Sequence, residues 1–343
     1  MQIDFPFVLS IDICMQKLSF LVGILSLGVV LTSCEKKEDA YSLPPKGSSS
    51  TAMADMGITY EEQIFFDFET YQIVKTSKVD SWDLAFEADK ESGKYVFMNG
   101  GKKVYVYNTQ LTDPAEVKIT NATAVPPGEW GFDAPNGDRY ASGIGEWLDE
   151  NGQSKKEVYI VKIETFPATY YKIVLLGVNE TFYELAYGKI ESTELQQITI
   201  PKDEQYNYIY FSFSNGGTIL QPDPPKSDWD IVFTRYRYIY YHLDNEPYIV
   251  NGVLINPYKT SVLMDTSASF ENLTYNEHHS EADFSTERDY IGFDWKSYDF
   301  DAGIYKVHTH RVFLINTQEA YQWKFHFLSY DKGNTIFEYE RIH

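Results

Sequence analysis

Seven histidines, two cysteines and a scatter of carboxylates are the side chains of this 343-residue chain that carry the most chemistry. His242, His278, His279, His308, His310, His326 and His343 all lie in the second half, so imidazole chemistry belongs there. His308 and His310 are two apart on an expected strand and share a face, a spacing that suits Zn²⁺ or Ni²⁺. No third ligand stands beside them, and ordinary strand histidines are the plainer reading. His326 is expected to pack in the last sheet, and His343 is terminal. His278 and His279 sit in a polar run from Tyr275 to Asp289 that reads as a solvated loop. Asp299, Asp301 and nearby Asp294 offer oxygens to Ca²⁺ but lack the twelve-residue spacing and closing Glu of an EF-hand loop. Asp133 to Asp138 reads as a turn. Cys14 and Cys34 fall in the first tenth of the chain, which leaves the body no disulfide and no thiolate metal site. No metal centre is expected.

Catalytic patterns are missing as well. There is no G-x-S-x-G, H-E-x-x-H, P-loop or G-x-G-x-x-G. A carboxylate pair for glycoside hydrolysis is defined by a separation of roughly 5–9.5 Å, which leaves no mark in sequence. No catalytic residue is assigned, and the chain reads as a binding protein. With 29 Lys plus Arg against 50 Asp plus Glu, a net charge of −21, it repels phosphate backbones, so nucleic acid is not an expected partner.

The elements that must position these residues begin after an address. From Met15 the chain carries Lys17, an apolar stretch from Leu18 to Leu31 and then small residues, the layout of a secretory signal. The stretch is short for a membrane span of roughly 20 residues. Leu31-Thr32-Ser33-Cys34 resembles the bacterial lipobox, which makes Cys34 the expected lipid attachment site and residues 1–33 the signal peptide, with Met15 as an alternative start. Removing 1–33 leaves 28 cations against 48 anions, a net charge of −20. Glu35 to Asp39 resembles the charged signal that sends Bacteroidetes lipoproteins to the cell surface. Pro44, Pro45, Gly47 and Ser48 to Ser50 have the composition of a flexible tether, placed at 34–57.

Beyond the tether, aromatics at 16% of residues and period-two alternation point to β structure. Tyr206 to Phe213, Tyr236 to Leu243, Arg311 to Ile315 and Gln322 to Leu328 read as strands, with hairpin turns at Asn215-Gly216-Gly217 and Asn251-Gly252. No 3.6-residue period persists over twelve residues. The expected class is all-β. The chain also repeats. Phe66-Asp67-Phe68 and Trp82-Asp83 recur as Phe211-Ser212-Phe213 and Trp229-Asp230 at offsets of 145 and 147. Tyr171-Lys172 recurs as Trp323-Lys324, and Thr181 to Glu184 as Thr335 to Glu338, at 152 and 154. The repeat places domains at 58–200 and 201–343. Within each, the Trp would bury its indole and the Asp would accept backbone N–H bonds at a strand start. Tyr236, Tyr238, Tyr240 and Tyr241 put aromatics on both faces of one strand, so one face must meet the other repeat or a ligand.

These motifs resemble the HmuY family, outer-membrane haem-binding lipoproteins of Bacteroidetes with an all-β fold. The second half carries the resemblance in Tyr210 to Phe213, Asp228 to Val232, Arg235-Tyr236, Trp295, Tyr305-Lys306, Arg311 to Phe313 and Trp323 to Tyr330. A thinner copy runs through Phe66 to Phe68, Trp82 to Ala85 and Ala141 to Trp147. The resemblance implies haem capture and delivery to a TonB-dependent outer-membrane transporter by a surface-exposed, lipid-anchored protein. Haem iron takes two axial ligands, usually His or Met and less often Tyr. The family's late-loop histidine has no equivalent between Trp295 and Tyr305, nor between Trp147 and Lys156. The remaining axial candidates are His278 or His279 paired with Met264 or Tyr298. The alternative is a surface module of the same fold that has lost haem ligation and binds a protein or glycan.

Overall fold

The alternating runs become strands in the computed structural model, which describes residues 45–274 and 279–343. Cys34, the signal peptide and His278 lie outside the described residues. Strands are numbered in chain order. One five-stranded sheet runs β10 (Gln196–Pro201), β9 (Phe182–Lys189), β8 (Thr169–Val178), β7 (Val158–Ile163), β6 (Val104–Asn108). Its partner is a four-stranded sheet, β12 (Thr218–Leu220), β11 (Tyr208–Ser212), β4 (Leu84–Glu87), β5 (Val96–Met98). Their inner residues, among them Phe86, Trp147, Tyr183 and Phe211, share one core, which makes the first sandwich.

The second sandwich has the same make-up. Its four-stranded sheet is β14 (Glu246–Ile255), β13 (Ile231–Tyr240), β2 (Glu62–Asp67), β3 (Gln72–Lys78). Its five-stranded sheet is β1 (Ser49–Asp55), β20 (Asn334–Arg341), β19 (Gln322–Asp331), β18 (Val312–Asn316), β15 (Ser261–Asp265). Phe66, Phe68, Trp323, Phe325 and Phe337 fill the core between them. A separate ribbon, β16 (Lys296–Asp299) with β17 (Ile304–Val307), completes the strands among the described residues, all of whose pairings are antiparallel. The protein is all-β.

The segments that share a core are not the halves 58–200 and 201–343. The first sandwich is continuous from β4 to β12, whereas the second joins β1–β3 to β13–β20. β2 pairs with β13, placing Phe66 opposite Ile231, and β11 pairs with β4, placing Phe211 opposite Leu84. Each repeat therefore contributes its leading hairpin to the sheet of the other. Pro201 to Asp203 is a connection inside the first sandwich, with Ile200 buried in its core. Residues 49–55, expected in the tether, form β1 along β20. Ala54 and Met56 turn into the core while Ser49, Thr51 and Met53 face out, so the small polar composition marks an edge strand.

Local expectations met the same mixture of outcomes. Asn215-Gly216-Gly217 does turn between β11 and β12, with positive φ at all three residues (56°, 83° and 102°). Asn251-Gly252 lies inside β14 instead. The glycine is needed there for close approach, since a Cβ on Gly252 would come within 2.4 Å of the Gly292 carbonyl oxygen. Asp83 and Asp230 accept backbone N–H bonds as expected, from Phe213 (2.7 Å) and Phe68 (2.9 Å). Trp229 is buried, but Trp82 is only half-buried, edge-on to Tyr210.

The two sandwiches belong to one compact unit, residues 43–343. Cations fasten them through carbonyls: Arg235 Nε donates to Gly101 O (2.9 Å), Arg237 to Val104 O (3.0 Å), and Lys75 Nζ to Gln221 O and Asp223 O (2.8 and 3.0 Å).

Candidate functional site

The described haem candidates fall on or beside two elements, β15 and the β16–β17 ribbon. Met264 sits on β15, an edge strand, and is 38% exposed; Tyr298 sits on the β16–β17 ribbon, 43% exposed, with Phe300 and Tyr305 edge-on to its ring. His279 places Nε2 3.6 Å from Asp265 Oδ2. None of these three residues lines the tyrosine groove or the cavity between the four-stranded sheets. His308 and His310 lie in the turn between β17 and β18 and not on a strand, so the shared strand face expected of them is absent; their rings are 6.0 Å apart. His326 packs in the last sheet as expected, stacked on Phe270 at 4.4 Å with Nδ1 bonded to Thr309 O. Asp299 Oδ1 accepts from the N–H groups of Asp301 and Ala302, an ordinary Asx turn, and its other oxygen pairs with Lys306.

The tyrosine strand builds a more coherent site. Only Ile231 to Phe233 of β13 pair with β2, so beyond them β13 and β14 run on as a two-stranded arm. Tyr236, Tyr238 and Tyr240 share one face of that arm because side chains repeat every two residues. Tyr236 is buried, while Tyr238 and Tyr240 are half-buried with Phe293 against both, at 4.9 and 6.4 Å between ring centres. Tyr240 also meets Tyr248 (6.0 Å) and His242 (5.6 Å). The segment 287–294 forms the opposite wall, and Pro135 and Asn136 of the first sandwich close one side, leaving a groove of about 560 Å³.

Charge gives the groove its character. Glu287, Asp289 and Asp294 line it, and Lys and Arg are absent from its lining. Arg311 pairs with Asp294 at 2.9 Å from outside. Burial pushes Asp289 up to about 6, and burial also raises Tyr238, Tyr240 and Tyr241, with the Asp289 carboxylate adding to the shift in Tyr238 and Tyr241. The arrangement offers aromatic faces to an apolar surface and carboxylate acceptors to hydroxyl or ammonium donors.

A narrower cavity of about 130 Å³ lies between the two four-stranded sheets. At roughly 30 Å³ per water it has room for about four, which is far from a porphyrin slot. Arg237 Nε, Arg288 Nε and the Tyr236 hydroxyl line it without protein partners, the kind of donors that ordered waters satisfy. Asp133 stands beside them as an organiser of the loop and more than a turn residue, taking the N–H groups of Met98 (2.6 Å) and Gly143 (2.9 Å); burial nonetheless pushes it up to about 6. The tyrosines stand out in the sequence, whereas Phe293 and the 287–294 wall do not, because nothing in their spacing ties them to β13.

The chain matches no family model and no curated protein. Among solved structures it is similar to apo PinO from Porphyromonas gingivitis, at 12% identity and a TM-score of 0.23, over 50% of this chain and 96% of that one. It is also similar to a candidate lipoprotein from Bacteroides fragilis NCTC 9343, at 15% identity and a TM-score of 0.19, over 86% of this chain and 91% of that one. TM-scores this low do not establish a shared fold.

Proposed function

We propose that this chain is a non-enzymatic, lipid-anchored binding protein of the outer-membrane surface whose β13–β14 groove takes a neutral or amino-bearing glycan. The observation that carries the reading is the groove itself: Tyr238, Tyr240 and Phe293 in mutual edge contact, flanked by three carboxylates, in a space of about 560 Å³. Sugar rings present an apolar C–H face that aromatic rings pack against, and hydroxyls that carboxylates accept from. Sialylated or sulfated sugars would meet like charge. So would the propionates of haem, and for that reason the haem and transporter roles implied by the HmuY resemblance receive less support than the glycan. The anchor rests on Leu31 to Cys34, and the surface address on the charges that follow it.

A glycan array followed by calorimetry with the best-retained oligosaccharide tests this. Tyr240→Ala should weaken binding roughly tenfold or more, about 1.4 kcal/mol, while the protein still melts in one cooperative transition. Absence of any neutral or amino sugar among the bound glycans, or a saturable Soret shift on haemin titration, would overturn it.

A further inference from the structure

Three carboxylates meet in the core of the second sandwich. Asp67 ends β2, Glu69 follows in the turn to β3, and Asp230 precedes β13; one oxygen of each lies within 4.8 Å of the others, and all three side chains are buried. Trp323 Nε1 donates to Glu69 Oε1 at 3.3 Å, and the Thr317 hydroxyl donates to the same oxygen. Asp67 receives the N–H groups of Glu69 and Thr70 (3.3 and 3.2 Å). Asp230 is wholly buried; its Oδ2 takes the Phe68 N–H and its carboxyl lies within hydrogen-bonding reach of Glu69, while no N–H or hydroxyl donor reaches Oδ1. No Lys or Arg forms an ion pair with any of the three among the described residues.

The first sandwich contains the same corner with a different solution. Asp83 corresponds to Asp230: each follows a Trp, each N–H donates to the first Phe of a Phe-x-Phe from the other repeat (2.8 and 2.9 Å), and each Oδ2 accepts from the second. Yet Asp83 Oδ1 meets Lys102 Nζ at 2.7 Å as an ion pair. Ser212 and Ser214 stand where the second sandwich has Asp67 and Glu69. One corner thus balances a carboxylate with an ammonium, and the other replaces two serines by acids and brings no cation. Burying several ionised carboxylates together is too costly for a fold, so such a cluster either takes up protons or holds a cation.

We propose that Asp67, Glu69 and Asp230 bind a hard divalent cation, calcium, which takes the place that the Lys102 ammonium holds in the first sandwich. The donors are all oxygen, as calcium requires, whereas zinc and the softer metals draw on His and Cys. Oxygens within 4.8 Å of one another fit around a single ion with ligands at roughly 2.3–2.6 Å. Two ligands come from the β2–β3 turn and one from the start of β13, so the ion ties the N-terminal segment to the rest of its sandwich. Burial pushes Glu69 up to about 7 and Asp230 well above the usual carboxylate range, the direction that a bound cation reverses.

The test uses the whole chain, freed of metal by a chelator and studied at about pH 8, where the carboxyls compete for a cation rather than a proton. Terbium is the probe, because Trp323 beside Glu69 would sensitise its emission. Saturable terbium emission, displaced by calcium, with a melting temperature that rises with calcium concentration, is the expected result. Glu69→Gln and Asp67→Ser should each weaken calcium binding roughly tenfold or more. The wild-type titration decides the matter even where a variant does not fold. Terbium that stays dark and a melting temperature equal in calcium and in chelator would overturn the proposal and leave three carboxyls that share protons.

Discussion

Lys172 and Lys324 show what a repeat conveys at the scale of a single side chain. Both are buried, and each ammonium donates to two carbonyls of a crossing loop: Pro114 and Val117 at 2.6 and 2.8 Å, Phe270 and Leu273 at 2.7 and 2.9 Å. Their equivalence is visible as Tyr171-Lys172 against Trp323-Lys324, but their task is not, because the carbonyls lie 51 to 58 residues away. Lys324→Met would leave two buried acceptors without a donor, at about 1–3 kcal/mol each. Urea denaturation should therefore show a loss of about 2–6 kcal/mol; a loss under about 1 kcal/mol would mean that water replaces the ammonium. Asp67, Glu69 and Asp230 were hidden for the same reason. Asp230 was legible as an acceptor of a backbone N–H, while the carboxylates around it come from a turn more than 160 residues earlier.

Among the elements, the exchange of leading hairpins matters most. The turn of β11–β12 is fitted to the first sandwich: the Tyr187 hydroxyl donates to Gly216 O at 2.6 Å, and a Cβ on Gly217 would collide with that same ring. Residues 82–222 hold every strand of the first sandwich, so this fragment should unfold in one cooperative transition. A fragment of 58–200 lacks β11 and β12, and can close its sheet only by laying β2 on β4, which sets Asp67 where Ser212 belongs, beside Asp83. Its urea midpoint should be lower, or the fragment unfolded. Equal midpoints would show the two hairpins to be interchangeable. Strand identity along this chain was largely legible, since alternation is local, whereas partner choice was not. Gly252 illustrates the ambiguity of short signals: Asn-Gly reads as a turn, and only the backbone at Gly292 explains why the glycine is there.

Over the molecule as a whole, buried carboxyls set the response to pH. Burial raises Glu69 to about 7 and Asp133, Asp223 and Asp289 each to about 6, above their ordinary values of 4.5 and 3.8. A carboxyl raised by folding binds its proton more tightly in the native state. Its contribution to stability is full below the ordinary value and is lost as pH rises through the raised one. In chelator, the melting temperature should fall between about pH 5 and pH 8, and the general repulsion of a chain with net charge −21 acts in the same direction. Asp223→Asn should flatten that fall. A melting temperature that is constant or rising over this range would mean that neighbouring Lys and Arg side chains, such as Arg288 and Lys75 at Asp223 and Arg237 at Asp133, keep these groups ionised in the folded protein.

Composition and alternation by themselves determined that this chain is acidic and all-β, because net charge and side-chain periodicity are properties of the chain before it folds. The duplicated Phe-x-Phe and Trp-Asp motifs determined that two similar corners exist, and that Asp83 and Asp230 serve them. Tertiary structure alone decided that each corner is closed by the hairpin of the other repeat, that Phe293 and Asp289 face Tyr238 and Tyr240, and that three acids converge at Asp230. The physical reason is the nature of sheet pairing. Backbone hydrogen bonds are the same whichever segments supply them, so neither the partner of a strand nor the side chains it carries into a site can be read from the strand alone.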